Sequence, residues 1–216
     1  MLNEMFLKVK PELLPAYSDE TPGDAALFNM AGDYSYLSEG YYLSQDACLR
    51  GKRVFPSPEE ILDAYVVPLA LEKARQNKIA TPEYKITNDE FGIEPPVLLY
   101  PINPFSDRFE LVSTLEDAPK KFRTVTRLGK YAACVQELPH DDYRIDTLRC
   151  IMGKTLTEEY HEFAWKAFKT FGLPLMKIRV IVTSSQYLFS SICPLEFDQL
   201  TLNEKKILEG IGTWQD

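Results

Sequence analysis

The sequence predicts an α/β fold of the α+β kind: an N-terminal βαβα parallel layer, then a βαββα layer, with the sheets covered by helices. Three observations predict it. Ala25-Ala26-Leu27-Phe28-Asn29-Met30 is a short, nearly continuous apolar run, the pattern of a strand buried on both faces. Ser57-Pro58-Glu59-Glu60 is a helix start, with Ser57 as N-cap, Pro58 in the first turn and Glu60 closing a capping box. Tyr160, Phe163, Ala164, Ala167, Phe168 and Phe171 recur at the spacing of one helix face, and strand-like segments follow them.

Residues 1–20 contain Pro11 and Pro15 and read as an arm or short helix packed outside the main sheet. The remainder, 21–216, reads as one domain divisible into sub-layers 21–100 and 101–216. After the first strand a helix is expected from about Tyr34 to Arg50, with Gly51 at its C-terminal stop. Lys52 to Phe55 is the next strand, and a strand–helix–strand order implies a parallel crossover. The helix opened by Ser57 should kink or end at Pro68. Residues 76–96 are loop-like, and Val97 to Tyr100 forms a short strand. From Phe109 to Ile151 the chain reads as extended segments, the clearest being Lys130 to Gln136 and Arg144 to Ile151. Thr155 to Glu158 is a second capping box, and Gly172 and Pro174 end the aromatic helix. Met176, Ile178, Val180 and Val182 alternate with Lys177 and Arg179, as in a half-buried strand. Ser184-Ser185-Gln186 turns the chain into Tyr187 to Ile192. Thr201 to Glu204 is a third capping box, opening the last helix.

Composition narrows the function. The chain has 216 residues, 45% of them hydrophobic, and a net charge of −8, enough apolar material for a real core. The acidic balance argues against nucleic-acid binding through an overall positive field. Cys48, Cys134, Cys150 and Cys193 are scattered and form no C-x-x-C, which suits free thiols in a reducing cytoplasm. With only His140 and His161 to join them, no metal site is expected. No apolar run reaches the about 18 residues of a membrane span, and the N-terminus lacks the charged and apolar regions of a signal peptide. A soluble, cytoplasmic protein is the expectation.

The candidate ligand-binding residues lie after the first strand. Asn29 and Asp33 stand where the carboxyl end of a parallel strand usually meets ligand. Ser35, Tyr36, Tyr41, Tyr42 and Ser44 follow, and phenols pair an apolar face with a hydrogen-bonding tip, which suits an amino acid or a peptide. The competing reading is that these tyrosines bridge core and surface of one helix. His140-Asp141-Asp142 with Arg144 could form an acid/base cluster, but a solvated turn after Pro139 is the favoured reading. His161 reads as a surface histidine. No serine sits in a G-x-S-x-G elbow and no catalytic residue is assigned. Gly129-Lys130 is not a phosphate loop, because Thr124 replaces the first glycine and Tyr131 the Ser/Thr.

Tyr34-Ser35-Tyr36, Gly40-Tyr41-Tyr42-Leu43-Ser44 and Arg50-Gly51-Lys52-Arg53-Val54-Phe55-Pro56-Ser57 together resemble the N-terminal domain of RimK-like ATP-grasp ligases. Leu148 to Gly153, Phe168 to Leu175 and Ser190 to Leu195 are similar to later parts of that domain, so the resemblance covers most of residues 25–212. It implies a domain that precedes an ATP-grasp catalytic module. Such ligases activate a carboxylate as an acyl phosphate and join it to an amine. The module itself is not expected in this chain, so neither ATP nor magnesium is carried over as a cofactor. The resemblance therefore implies an accessory or substrate-binding domain, not an enzyme on its own, whose partner is an ATP-grasp ligase module or another protein. A small free-standing enzyme and a scaffold protein, each using the tyrosine-rich segment, are the alternatives.

Overall fold

The computed structural model describes residues 5–10, 13, 26–103, 108–140 and 142–214. Among them are eleven strands and six α-helices. The chain divides into two compact units, residues 1–62, 148–177 and 193–216 in the first, and 63–147 and 178–192 in the second.

The first unit contains a four-stranded sheet in the order β11-β1-β2-β3, where β1 is Phe6–Val9, β2 Leu27–Asn29, β3 Val54–Phe55 and β11 Gly212–Trp214. β2 and β3 run parallel, pairing Leu27 with Val54 and Phe28 with Phe55, as the crossover pattern predicts. Between them lies helix α1, Glu39–Leu49, which buries Gly40, Leu43, Ser44 and Ala47. Phe6, Leu27, Leu43, Ala47 and Val54 form the apolar cluster that holds this layer together. β1 departs from the expected arm or helix outside the sheet. It pairs antiparallel with β2 on one side and with β11 on the other, and only Lys8 of its four residues is exposed. Four residues are too short for periodicity to reveal a strand. Most of residues 11–20 lie outside the described residues.

Helix α1 begins five residues later than its apolar pattern suggests. Asp33 Oδ1 accepts from Ser35 N (2.9 Å), and Leu37 takes a left-handed φ of 71°, so local side-chain bonding and a turn occupy residues 33–37. Ser38 then caps the helix, its Oγ accepting from Tyr41 N at 3.2 Å. The Ser57 capping box forms in full, Ser57 N donating to Glu60 Oε2 at 2.7 Å and Glu60 N to Ser57 Oγ at 3.2 Å. It opens α2, Pro58–Tyr65, and the chain restarts as α3, Val67–Gln76, with Pro68 in its first turn.

The second unit contains an antiparallel sheet in the order β4-β7-β5-β6: β4 Tyr84–Thr87, β5 Val97–Pro101, β6 Glu110–Val112 and β7 Ala133–Glu137. β4 falls in the stretch expected to be loop. It is an edge strand with both central residues exposed, so ladder bonds to β7 hold it without an apolar signature. Helix α4, Ala118–Val125, lies where extended chain was expected. Only Ala118 and Phe122 of it are buried, an (i, i+4) anchor set among lysines and an arginine. Both join Ile93, Val97, Leu99, Val112, Ala133 and Val135 in one apolar cluster.

Strands β8, Tyr143–Ile151, β9, Leu175–Thr183, and β10, Tyr187–Cys193, form a sheet in the order β10-β9-β8. The expected βαββα order holds, with α5, His161–Phe171, between β8 and β9 and α6, Leu202–Ile211, after β10. Two details differ. Residues 158–160 form a single 3₁₀ turn with no side-chain cap, because Thr155 Oγ1 accepts from Thr157 N, and α5 starts at His161. β9 is buried on both faces rather than one, since it is the central strand of its sheet. Gly172 closes α5 at φ 69° and Thr201 with Glu204 caps α6 as read from the sequence. No helix among the described residues is long and apolar enough to cross a membrane.

Candidate functional site

In the first unit, the residues read as a ligand rim sort into an inner and an outer set. Asn29 is fully buried at the end of β2. Its Nδ2 donates to Gly40 O (2.8 Å) and Ser44 Oγ (3.0 Å), and its Oδ1 accepts from Ala31 N (3.0 Å). Asn29 and Ser44 thus tie β2 to α1. The tie needs close approach: a Cβ on Gly40 would lie 2.2 Å from Asp33 O. Tyr34, also fully buried, donates its hydroxyl to Asn29 O at 2.6 Å, and burial pushes its ionisation far upward. Asp33 holds the turn through Ser35 N, and its carbonyl accepts from Ser38 Oγ at 2.9 Å.

The outer set is aromatic. Tyr36 and Tyr41 meet edge to face at 5.1 Å, and Tyr41 and Tyr42 at 5.9 Å. Tyr36 is 37% exposed and Tyr42 56%, with Leu37 beside them at 52%. The structure therefore brings Tyr36, Tyr41 and Tyr42 together, leaves Ser35 half-buried next to Tyr36 in the chain, and buries Asn29 and Ser44.

The second unit holds a polar centre that the sequence reading missed. Arg179, on β9, is 9% exposed. Its guanidinium donates to Ser191 Oγ (2.9 Å) and to Tyr100 Oη (3.3 Å), and lies over the Phe109 ring at 3.9 Å. Tyr100 Oη is 2.8 Å from Ser190 Oγ, which donates to Gln136 Oε1 at 2.6 Å, while Gln136 Nε2 donates to Ser190 O at 2.9 Å. Burial raises the Tyr100 phenol, with Arg179 opposing. The result is a fixed positive charge inside a hydroxyl-rich network drawn from β5, β7, β9 and β10. The available signal was a Ser190-Ser191 pair in an apolar strand opposite an arginine in another, both of which need buried partners.

Among the described residues, the remaining candidates have these surroundings. His140 is exposed in a turn, Asp141 lies outside the described residues, and Arg144 Nε donates to Asp146 at 2.9 Å. His161 is exposed, its Nε2 3.0 Å from Thr155 O. Cys134, Cys150 and Cys193 are buried and Cys48 exposed, all as free thiols. Burial pushes Cys134 and Cys150 up to about 12, so neither is a ready nucleophile. Among the described residues no three His, Cys, Asp or Glu side chains are grouped to hold a metal ion.

The chain is similar in fold to several ATP-grasp proteins. A RimK domain ATP-grasp protein from Sphaerobacter thermophilus aligns at 15% identity and TM-score 0.58, over 95% of this chain and 82% of that one. The ATP-grasp ligase PsnB bound to a minimal precursor aligns at 13% identity and TM-score 0.53, over 79% and 68%. N5-carboxyaminoimidazole ribonucleotide synthetase from Thermotoga maritima aligns at 15% and 0.52, over 72% and 48%. Among curated proteins, none matches the chain in sequence. The profile of the RimK-like ATP-grasp N-terminal domain matches residues 12–94 and 110–210, most of the sequence, and the chain belongs to that family.

Proposed function

We propose that the chain is a non-catalytic accessory or substrate-binding domain related to ATP-grasp carboxylate–amine ligases, acting with a separate ligase module. The observation that carries this reading is the match of residues 12–94 and 110–210 to the N-terminal domain of RimK-like ATP-grasp proteins. In this reading the rim of Asp33, Ser35, Tyr36, Tyr41 and Tyr42, fastened by Asn29 and Ser44, receives an amino acid or peptide. The exposed Tyr36 and Tyr42, with Leu37 beside them, offer a partner protein the aromatic and apolar contact area of an interface core.

The test is turnover. The purified chain, given ATP, magnesium and the proteinogenic amino acids, is expected to release no ADP above background. Amino-acid-dependent release at about 1 per second, an ordinary enzymatic rate, would overturn the reading.

A further inference from the structure

A cleft that shares no lining residue with the tyrosine rim lies in the first unit. Met5, Phe197, Lys205, Glu209 and Trp214 line a cleft of about 310 Å³, at the small end of ligand pockets. Phe197 comes from the 3₁₀ turn before α6, and Trp214 from edge strand β11 after it. Their rings meet edge to face, 5.3 Å apart at 84°. Lys205 and Glu209 stand one turn apart on α6.

The charges are what make the cleft specific. Neither the Lys205 ammonium nor the Glu209 carboxylate has a hydrogen-bonding or ion-pair partner among the described residues. A lysine placed N-terminal to a glutamate is the weaker of the two (i, i+4) orders. Lys205 instead places its Nζ over the Phe197 ring at 5.1 Å. One cation and one anion, not joined to each other, thus border an aromatic-walled recess sized for a single side chain. We infer that this cleft binds a free α-amino acid with a flat apolar side chain. Its carboxylate pairs with Lys205, its ammonium with Glu209, and its ring lies against Phe197 and Trp214. Each charge of the ligand then meets its complement without either protein group being buried unpaired.

L-Phenylalanine is the probe, titrated into the full chain by calorimetry and by tryptophan emission. A saturable Kd of about 1 mM or tighter is expected. Phenethylamine and hydrocinnamate, each lacking one charge, should bind at least about tenfold more weakly, as should L-phenylalanine to Lys205→Met and Glu209→Gln. The emission change should vanish in Trp214→Leu, while Trp165 still reports a folded chain. No saturation at about 20 mM, or equal binding of the singly charged analogues, overturns the inference. Undiminished binding in both charge variants with an unchanged melting temperature overturns it as well.

Discussion

Arg149 and Glu204, 55 residues apart, meet through two parallel hydrogen bonds, Nε to Oε1 at 2.6 Å and Nη2 to Oε2 at 2.9 Å. Glu204 is 3% exposed in its side chain and also accepts from Thr201 N at 2.8 Å, so one carboxylate closes the α6 capping box and fastens it to β8. Arg149 and then the Thr201 bonds hold that carboxyl below its ordinary range, against the effect of burial. A carboxyl depressed in the folded state stabilises at pH above its unfolded pKa, and that stability is lost as pH falls toward the folded value. Glu204→Gln should therefore cost about 2 kcal/mol in urea unfolding at pH 7, and should flatten the decline in stability as pH falls through and below the ordinary carboxylate range.

Gly32 sits at φ +81°, and a Cβ there would lie 1.9 Å from the Leu195 carbonyl oxygen. Gly32 O also accepts from Leu195 N, so the two strands of chain are locked together. Gly32→Ala should cost at least about 3 kcal/mol or prevent folding. Gly129→Ala has a similar φ of +79° but open space around it, and should cost only about 1 kcal/mol. Comparing the two unfolding midpoints separates steric conflict from backbone strain.

Asn29→Ala would leave Ser44 Oγ and the Gly40 carbonyl without their buried donor. A loss of about 2 kcal/mol is expected. Tyr42→Ala removes an exposed ring and should change stability by less than about 0.5 kcal/mol. If the tyrosine corner receives ligand or partner, Tyr42→Ala weakens that binding while the melting temperature stays in place.

Thiol titration offers a simple check on packing. Only Cys48 of the four cysteines is exposed, and burial suppresses ionisation of Cys134 and Cys150. An aromatic disulfide reagent should label one thiol rapidly in the folded chain and four in denaturant.

Local signals carried the legible part of this fold. Thr201, Glu204 and Gly172 act within one turn of helix, and the β2–α1–β3 crossover follows from an apolar run, a helix and a second strand in order. Arg179 shows where such signals stop. In the sequence, Lys177 and Arg179 are equivalent members of one alternation. In the structure Lys177 is half-buried, its Nζ near Gln199, whereas Arg179 is buried on Tyr100 and Ser191. Those partners are 79 and 12 residues away, and no periodicity encodes them. Asn29 was legible as a special residue inside an apolar run, but its three bonds depend on where Gly40 and Ser44 arrive.

Calorimetric titration of the purified chain with magnesium and ATP addresses the proposed non-catalytic role most directly. The accessory-domain reading predicts no saturable binding of the magnesium–nucleotide complex up to about 5 mM. Magnesium-dependent binding with a Kd below about 100 μM would contradict it.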